Sequence, residues 1–371
     1  MARFCPGRYA NMIFYALIFI LAFFLFALCQ RRGVNWAYWA GVSVLFLLSA
    51  MRFDVGQDFY QFYTIEVPPW DELSIIASAR DFDRFGLSVK LLYLISEWIG
   101  WRQLIFVVTS GLIYFSFGIG IRRHSENVIL SWAFFVGFMM VQSFNMIWQM
   151  SAMGIVFLSL DAVLKKRPCK FLLLILLAVS FHTSAIVALL IYPVYHWMSW
   201  RWIVVSGCVM VGCVQSLLSI ISSFGLYASY LEELDKYPGG EKLMYLYPVL
   251  MASLVVFGRL FASPNADDVD AKHSMLEIRK LLAVVLVGVF PPFYFGASLG
   301  NRVGFYFLIF LLVYAPSALR NVRFVGFLYS CSFVAFFFVT VHLSQHSPVL
   351  VDTHVPYRCF LFTDTSYLRE R

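Results

Sequence analysis

The sequence predicts an all-α, polytopic integral membrane protein of about twelve transmembrane helices, with a large outer loop that carries an interfacial or re-entrant helix. Three observations lead there. A soluble domain is roughly 45–50% apolar and about 25% charged, whereas this 371-residue chain is 61% hydrophobic and 13% charged. Its 39 Phe, 20 Tyr and 10 Trp exceed what a soluble core of that length can hide from water. Its basic residues fall in short clusters between apolar runs, as membrane-topology signals do. The net charge of +7 therefore reports topology and contact with lipid, and no nucleic-acid partner is expected.

A span needs about 20 mostly apolar residues. The first run, 11–29, follows Arg3 and Arg8 and ends at Arg31-Arg32; Leu28 is a poor residue before a cleavage site, so the run reads as a permanent span. The second, 34–50, stops at Arg52. Segment 87–101 is apolar but short and carries Lys90 and Glu97, which suits an interfacial or re-entrant position. Run 103–121 ends at Arg122-Arg123, and 128–147 is followed by 149–164, which ends at Lys165-Lys166-Arg167. Stretch 168–197 is long for one span and short for two. A hairpin of 168–181 and 182–197, turning at Phe181-His182-Thr183, is preferred over one tilted helix because it leaves Arg279-Lys280, Arg320 and Arg323 on the side of the earlier clusters. Spans at 202–222, 243–261, 279–299, 302–319 and 324–342 complete the set.

No internal repeat and no soluble appendage interrupts this pattern, so residues 1–371 read as one transmembrane domain. With the basic clusters inside, both termini lie outside. The main outer loop is 51–102, the loop 262–278 is an acidic connector inside, and 343–371 is an outer tail. The seven cysteines show no metal-ligand spacing, and no disulfide is expected.

Four segments carry polar residues at the outer ends of spans. Arg52-Phe53-Asp54-Val55-Gly56-Gln57-Asp58-Phe59 puts a cation and two carboxylates at the hydrocarbon boundary, either as an interfacial cap or as a site. Asn145 and Gln149, four apart, would either bind sugar hydroxyls or bond neighbouring helices. His182 lies inside an apolar run, as a base, a phosphate donor or a structural donor. Arg302, in Gly300-Asn301-Arg302-Val303-Gly304-Phe305-Tyr306, would hold a phosphate or anchor the interface. The topology gathers all four on one side, where an outward cavity would suit an anionic, lipid-linked, polyhydroxylated ligand.

In order and spacing these segments resemble the EpsG/Wzy-type family of bacterial polysaccharide polymerases. That family carries Arg-x-x-Val-Gly-x-Asp-Tyr, matched from Arg52 with Phe59 for the tyrosine, and Asn-x-x-Arg-Gln-x-x-Ala, matched at Asn145 to Ala152 with Trp148 in place of the arginine. A basic loop, Phe-His-x-Ser-Ala at Phe181 to Ala185, and a late Arg-x-x-x-Tyr at Arg302 and Tyr306 follow.

The resemblance, which covers nearly the whole chain, implies a metal-independent glycosyltransferase without cofactor in the bacterial inner membrane. It would join undecaprenyl-diphosphate-linked oligosaccharide units into O-antigen, capsule or exopolysaccharide at the periplasmic face, working beside a flippase and a chain-length regulator. On that reading Arg52 and Arg302 hold the diphosphate, Asp54, Asp58 or His182 takes the proton, and Asn145, Gln149 and Tyr306 orient the sugars. A flippase for lipid-linked oligosaccharide and a membrane acyltransferase using His182 are the alternatives.

Overall fold

A computed structural model describes residues 7–68, 85–212, 269–292, 297–319, 323–346 and 357–363. The regular elements of these residues are helices. They are α1 (Gly7–Arg32), α2 (Asn35–Ala50), the short α3 (Phe59–Thr64), α4 (Leu87–Ile99), α5 (Leu104–His124), α6 (Val128–Asn145), α7 (Ile147–Leu164), α8 (Pro168–Phe181), α9 (Thr183–Trp197), α10 (Trp200–Gly212), α11 (Val269–Val289), α12 (Ala297–Leu308), α13 (Leu311–Ala318) and α14 (Arg323–His346).

The helices run between two ends of one bundle. Gly33 turns α1 into α2, and at that end Arg122 of α5 donates to the side chain of Asn35, 2.5 Å, while Gln30 accepts from the backbone of Ile129 at the start of α6. At the other end, Gln103 before α5 donates to the carbonyls of Ala50 and Arg52, 2.9 Å each. The chain does reverse at His182: Phe171 in α8 meets Tyr192 in α9, ring centroids 5.4 Å apart, and His196 reaches the Val163 carbonyl at 3.0 Å. Helix α11 packs on α12 so closely that Gly304 and Gly288 touch backbone to backbone, the small-residue contact that membrane helices favour. One end of the bundle thus carries Arg31, Arg32, Arg122, Arg123, Lys165, Lys166, Arg167 and Lys170. The opposite end carries the 51–58 segment, Asn145, Gln149, His182 and Arg302.

Burial separates centre from periphery. Of the apolar windows, 89% of α6 and 83% of α7 are covered by protein, against 33% of α1 and 22% of α14. The outer helices show Leu17, Ile20, Phe24, Phe324 and Phe327 outward, as surfaces wetted by lipid do. Inside, Phe26 stacks on Trp132 with ring planes 6° apart, and Phe134 and Phe138 clamp Phe333 of α14.

Span lengths differ from expectation. Five described helices are long and apolar enough to cross a membrane: Met12–Arg32 within α1, then α5, α6, α7 and Phe324–His342 within α14. The expected span 302–319 is a pair, α12 and α13, bent by 55°. Helices α2, α8 and α9 are apolar but shorter than 18 residues, so the α8–α9 hairpin is shallower than two full crossings. The expected connector 262–278 is helical from Val269 onward. The expected span 243–261, residues 213–222 of the expected span 202–222 and residues 69–84 of the outer loop lie outside the described residues. Helix α4, 13 residues, is too short to cross; it buries Val89, Leu92 and Tyr93 and sits on α8, where Ser88 and Ser180 share a 2.6 Å hydrogen bond.

Candidate functional site

The loop after α2 is built around Arg52. Its side chain has no exposure at all. One terminal nitrogen donates to the Ser49 carbonyl and hydroxyl, 2.7 and 2.8 Å, the other to the Phe144 carbonyl at 3.3 Å. The guanidinium also lies over the rings of Phe106 and Phe144, 5.1 and 5.0 Å from their centroids. The backbone beside it pairs with the tail: Phe53 N–H donates to Arg358 O, 2.8 Å, and Phe360 N–H to Met51 O, 3.1 Å. Arg52 is therefore a buried tie between α2, α6 and the tail. Its two terminal nitrogens point into carbonyls and a hydroxyl, while its Nε has no hydrogen-bond partner among the described residues.

Asp54 is likewise engaged. It stands at a left-handed φ of 53° and accepts from Arg358 at 2.6 Å, its side chain only 10% exposed. Two residues on, Gly56 has φ 107°, and a Cβ there would come within 2.8 Å of the Phe144 carbonyl. Asn145 pins the same turn by accepting from the Gln57 N–H at 2.9 Å. The i,i+4 amides thus hold backbone: Gln149, 2% exposed, donates to the Arg302 carbonyl at 2.6 Å and fixes α12 against α7. Of the two uses the sequence left open for this pair, sugar binding or bonds to neighbouring protein, these contacts are of the second kind.

What remains open to a ligand is a smaller set. Asp58 is the N-cap residue of α3, yet its carboxylate makes no capping bond, and among the described residues no hydrogen bond or ion pair engages it. The same holds for the side chain of Arg302. Both are half-buried, and the Arg302 charge acts on Asp58 and on His182, so the three are neighbours. Burial pushes the Asp58 carboxyl above its ordinary range, and Arg302 pulls it part of the way back. His182, extended at the α8–α9 turn, bonds Ser184 Oγ through Nδ1 at 2.6 Å, and Ser184 meets the hydroxyl of the fully buried Tyr306 at 3.1 Å. Tyr306 thus fixes the far end of a His182–Ser184–Tyr306 chain, and its hydroxyl is in use there.

Trp148 is 5% exposed in an aromatic box of Phe62, Phe85 and Tyr93, with centroids 5.6–5.9 Å away. Its indole N–H has no hydrogen-bond partner among the described residues. The charge that the family pattern places at this position has no counterpart in this apolar box.

Sequence reasoning missed Arg358, Gln103 and Ser49, and it read Ser184 only as part of a motif, with no role. Arg358 and Asp54 are 304 positions apart, beyond any local pattern. Gln103 left a trace as a polar residue opening an apolar run, and Ser184 as the serine of the Phe-His-x-Ser-Ala motif.

An all-helical membrane bundle with a carboxylate, a cation and an imidazole at one end and the basic clusters at the other defines a polytopic membrane protein with its polar site at one membrane face. The chain matches the EpsG family over residues 35–359 and belongs to it, which makes it a membrane polymerase of polysaccharide biosynthesis. No curated protein and no solved structure matches it.

Proposed function

We propose that this chain joins undecaprenyl-diphosphate-linked oligosaccharide repeat units into O-antigen or a related surface polysaccharide, at the periplasmic face of the bacterial inner membrane. Family membership supports the reaction class. The orientation rests on the positive-inside rule, which puts the end bearing Arg31, Arg32, Arg122, Arg123 and Lys165 to Lys170 in the cytoplasm and Asp58 and Arg302 outside. The single observation that carries the site assignment is the contrast between two pairs. Arg52 and Asp54 are consumed by structural bonds, whereas Asp58 and Arg302 are neighbours with no such partners among the described residues.

The proposed step is a direct displacement. A hydroxyl oxygen of the acceptor sugar attacks the anomeric carbon of the donor, the bond from that carbon to the diphosphate oxygen breaks, and undecaprenyl diphosphate leaves. Asp58 takes the hydroxyl proton, a task for which a carboxylate of raised affinity is better suited than a free one. Arg302 stabilises the charge that develops on the departing diphosphate. His182, held by Ser184 and Tyr306, is the second candidate base and orients the acceptor. Neither a metal ion nor a nucleotide sugar enters this balance. The partners are the lipid-linked donor and acceptor, the bilayer, a flippase that delivers the units and a chain-length regulator.

The test is the polysaccharide ladder of a strain lacking the chain. Collapse to a single repeat unit, restored by wild type but not by Asp58→Asn, supports the reading. Loss of every repeat unit, the first included, would instead mark a flippase. An unchanged ladder would remove polymerisation and favour acyl transfer through His182.

A further inference from the structure

The end of the bundle opposite Asp58 and Arg302 holds a cavity that the proposed reaction does not use. It has a volume of about 570 Å³ and is lined by Arg123, His124, Asp161, Lys165, Arg167 and Lys170. That size falls in the roughly 300–1,000 Å³ range of small-ligand sites. The lining comes from the C-terminus of α5, the end of α7 and the first turn of α8. Four cationic side chains face one carboxylate there. Asp161 occupies Lys165 at 2.8 Å and, weakly, Lys170 at 3.9 Å. Among the described residues no ion pair engages Arg123 or Arg167. Helix α8 opens at the same place with Pro168 in its first turn and no side chain capping it, so its free N–H groups add to the positive potential.

A second observation selects the ligand. Leu173 and Leu177 lie three and seven residues beyond Lys170, on one face of α8, and both are exposed, as are Leu172 and Leu176. An apolar stripe therefore runs from the basic cavity along the outside of the bundle toward the other end. A soluble anion has no use for such a stripe. A headgroup phosphate with an attached acyl chain matches both features, since basic pockets between helices at the cytoplasmic level hold anionic lipid headgroups.

We propose that this cavity binds the headgroup phosphate of an anionic phospholipid of the adjacent leaflet, with an acyl chain laid along Leu173 and Leu177 of α8. The bound lipid would tie the ends of α5 and α7 to the start of the α8–α9 hairpin, whose turn carries His182. The inference stands apart from the reaction proposed above, and its test needs no polymerase assay.

The delipidated full chain in neutral detergent is titrated with short-chain phosphatidylglycerol, short-chain phosphatidylcholine and inorganic phosphate, and binding is read by native mass spectrometry and by thermal unfolding. Phosphatidylglycerol should bind and raise the unfolding midpoint, with phosphatidylcholine and inorganic phosphate much weaker. Arg123→Gln/Arg167→Gln should lower phosphatidylglycerol affinity about 25-fold, taking about fivefold per cation. Arg31→Gln/Arg32→Gln, which removes two cations at the same end but off the cavity, should leave it unchanged. Where the double variant does not fold, Lys170→Gln, whose side chain is 51% exposed, should lower affinity about fivefold. Equal binding of the two lipids, or an equal loss in the Arg31/Arg32 control, would overturn the proposal. Stabilisation by inorganic phosphate as strong as that by phosphatidylglycerol would reassign the site to a soluble phosphate and overturn the lipid assignment.

Discussion

Replacing Arg52 and Arg302 by alanine tests the proposal that the first arginine is structural and the second catalytic. Arg52→Ala removes the donors to the Ser49 and Phe144 carbonyls and leaves a void between Phe106 and Phe144. Each buried acceptor left without a donor costs about 1–3 kcal/mol, so the two together cost about 2–6 kcal/mol before the void is counted. A protein holds only about 5–15 kcal/mol in total, so the folded yield should fall and the unfolding midpoint in detergent should drop by many degrees. Arg302 is half-buried and its guanidinium has no hydrogen bond or ion pair among the described residues. Its removal should change stability by no more than about 0.5 kcal/mol, while loss of an electrostatic stabiliser of the leaving group should slow the reaction about 10²–10³-fold. The assay pairs thermal unfolding of the purified variants with the cellular ladder, normalised to folded protein. The reasoning is refuted if Arg52→Ala unfolds at the wild-type temperature yet makes no polymer, which would return Arg52 to the diphosphate. It is refuted equally if Arg302→Ala is as unstable as Arg52→Ala.

Further predictions concern the same end of the molecule. Burial raises the Asp58 carboxyl and Arg302 lowers it, so the rate should fall on acidification at a pH above the ordinary carboxylate range. In Arg302→Gln the residual activity should fall at a still higher pH, since the lowering charge is gone; a limb that moves to lower pH contradicts Asp58 as the base. Gly56→Ala forces a Cβ to 2.8 Å from the Phe144 carbonyl at φ 107°, and the strain, about 1–3 kcal/mol, should lower the unfolding midpoint. Asp54→Asn and Arg358→Gln should each destabilise the tail, and a double-mutant cycle should give a coupling of about 1–2 kcal/mol, above the 0–1 of exposed pairs because Asp54 is only 10% exposed. Trp148→Arg, which puts the family's residue into the box of Phe62, Phe85 and Tyr93, should lose folded protein instead of gaining activity, because the charge would have no partner there.

Hydropathy made the long helices legible. The runs 103–121, 128–147, 149–164 and 324–342 correspond to α5, α6, α7 and the apolar window of α14, because an uninterrupted apolar stretch of that length has few other stable solutions. The basic clusters made the α8–α9 reversal legible too. The break between α12 and α13 was not, since Ile309 and Phe310 are as apolar as their neighbours and the local breaker, Pro316, lies inside α13 beyond the 55° bend. At the site, the sequence showed which polar residues stand at the ends of spans but not what they touch. Asp54 and Asp58 look alike four positions apart, and only the tail, through Arg358, distinguishes them. Asn145 and Gln149 read either as sugar ligands or as bonds between helices, and the sequence could not name their partners, the backbone of Gln57 and Arg302, which tertiary packing brings in across 88 and 153 positions.

Reconstitution tests the central claim most directly. The purified chain in liposomes, given a synthetic undecaprenyl-diphosphate-linked repeat unit and no nucleotide sugar, is followed by mass spectrometry of the lipid extract. The account predicts dimers and longer oligomers, one undecaprenyl diphosphate released per new linkage, and both formed about 10²–10³-fold more slowly with folded Asp58→Asn or Arg302→Ala. Folded wild-type protein that moves the unit across the bilayer but forms no linkage would contradict it.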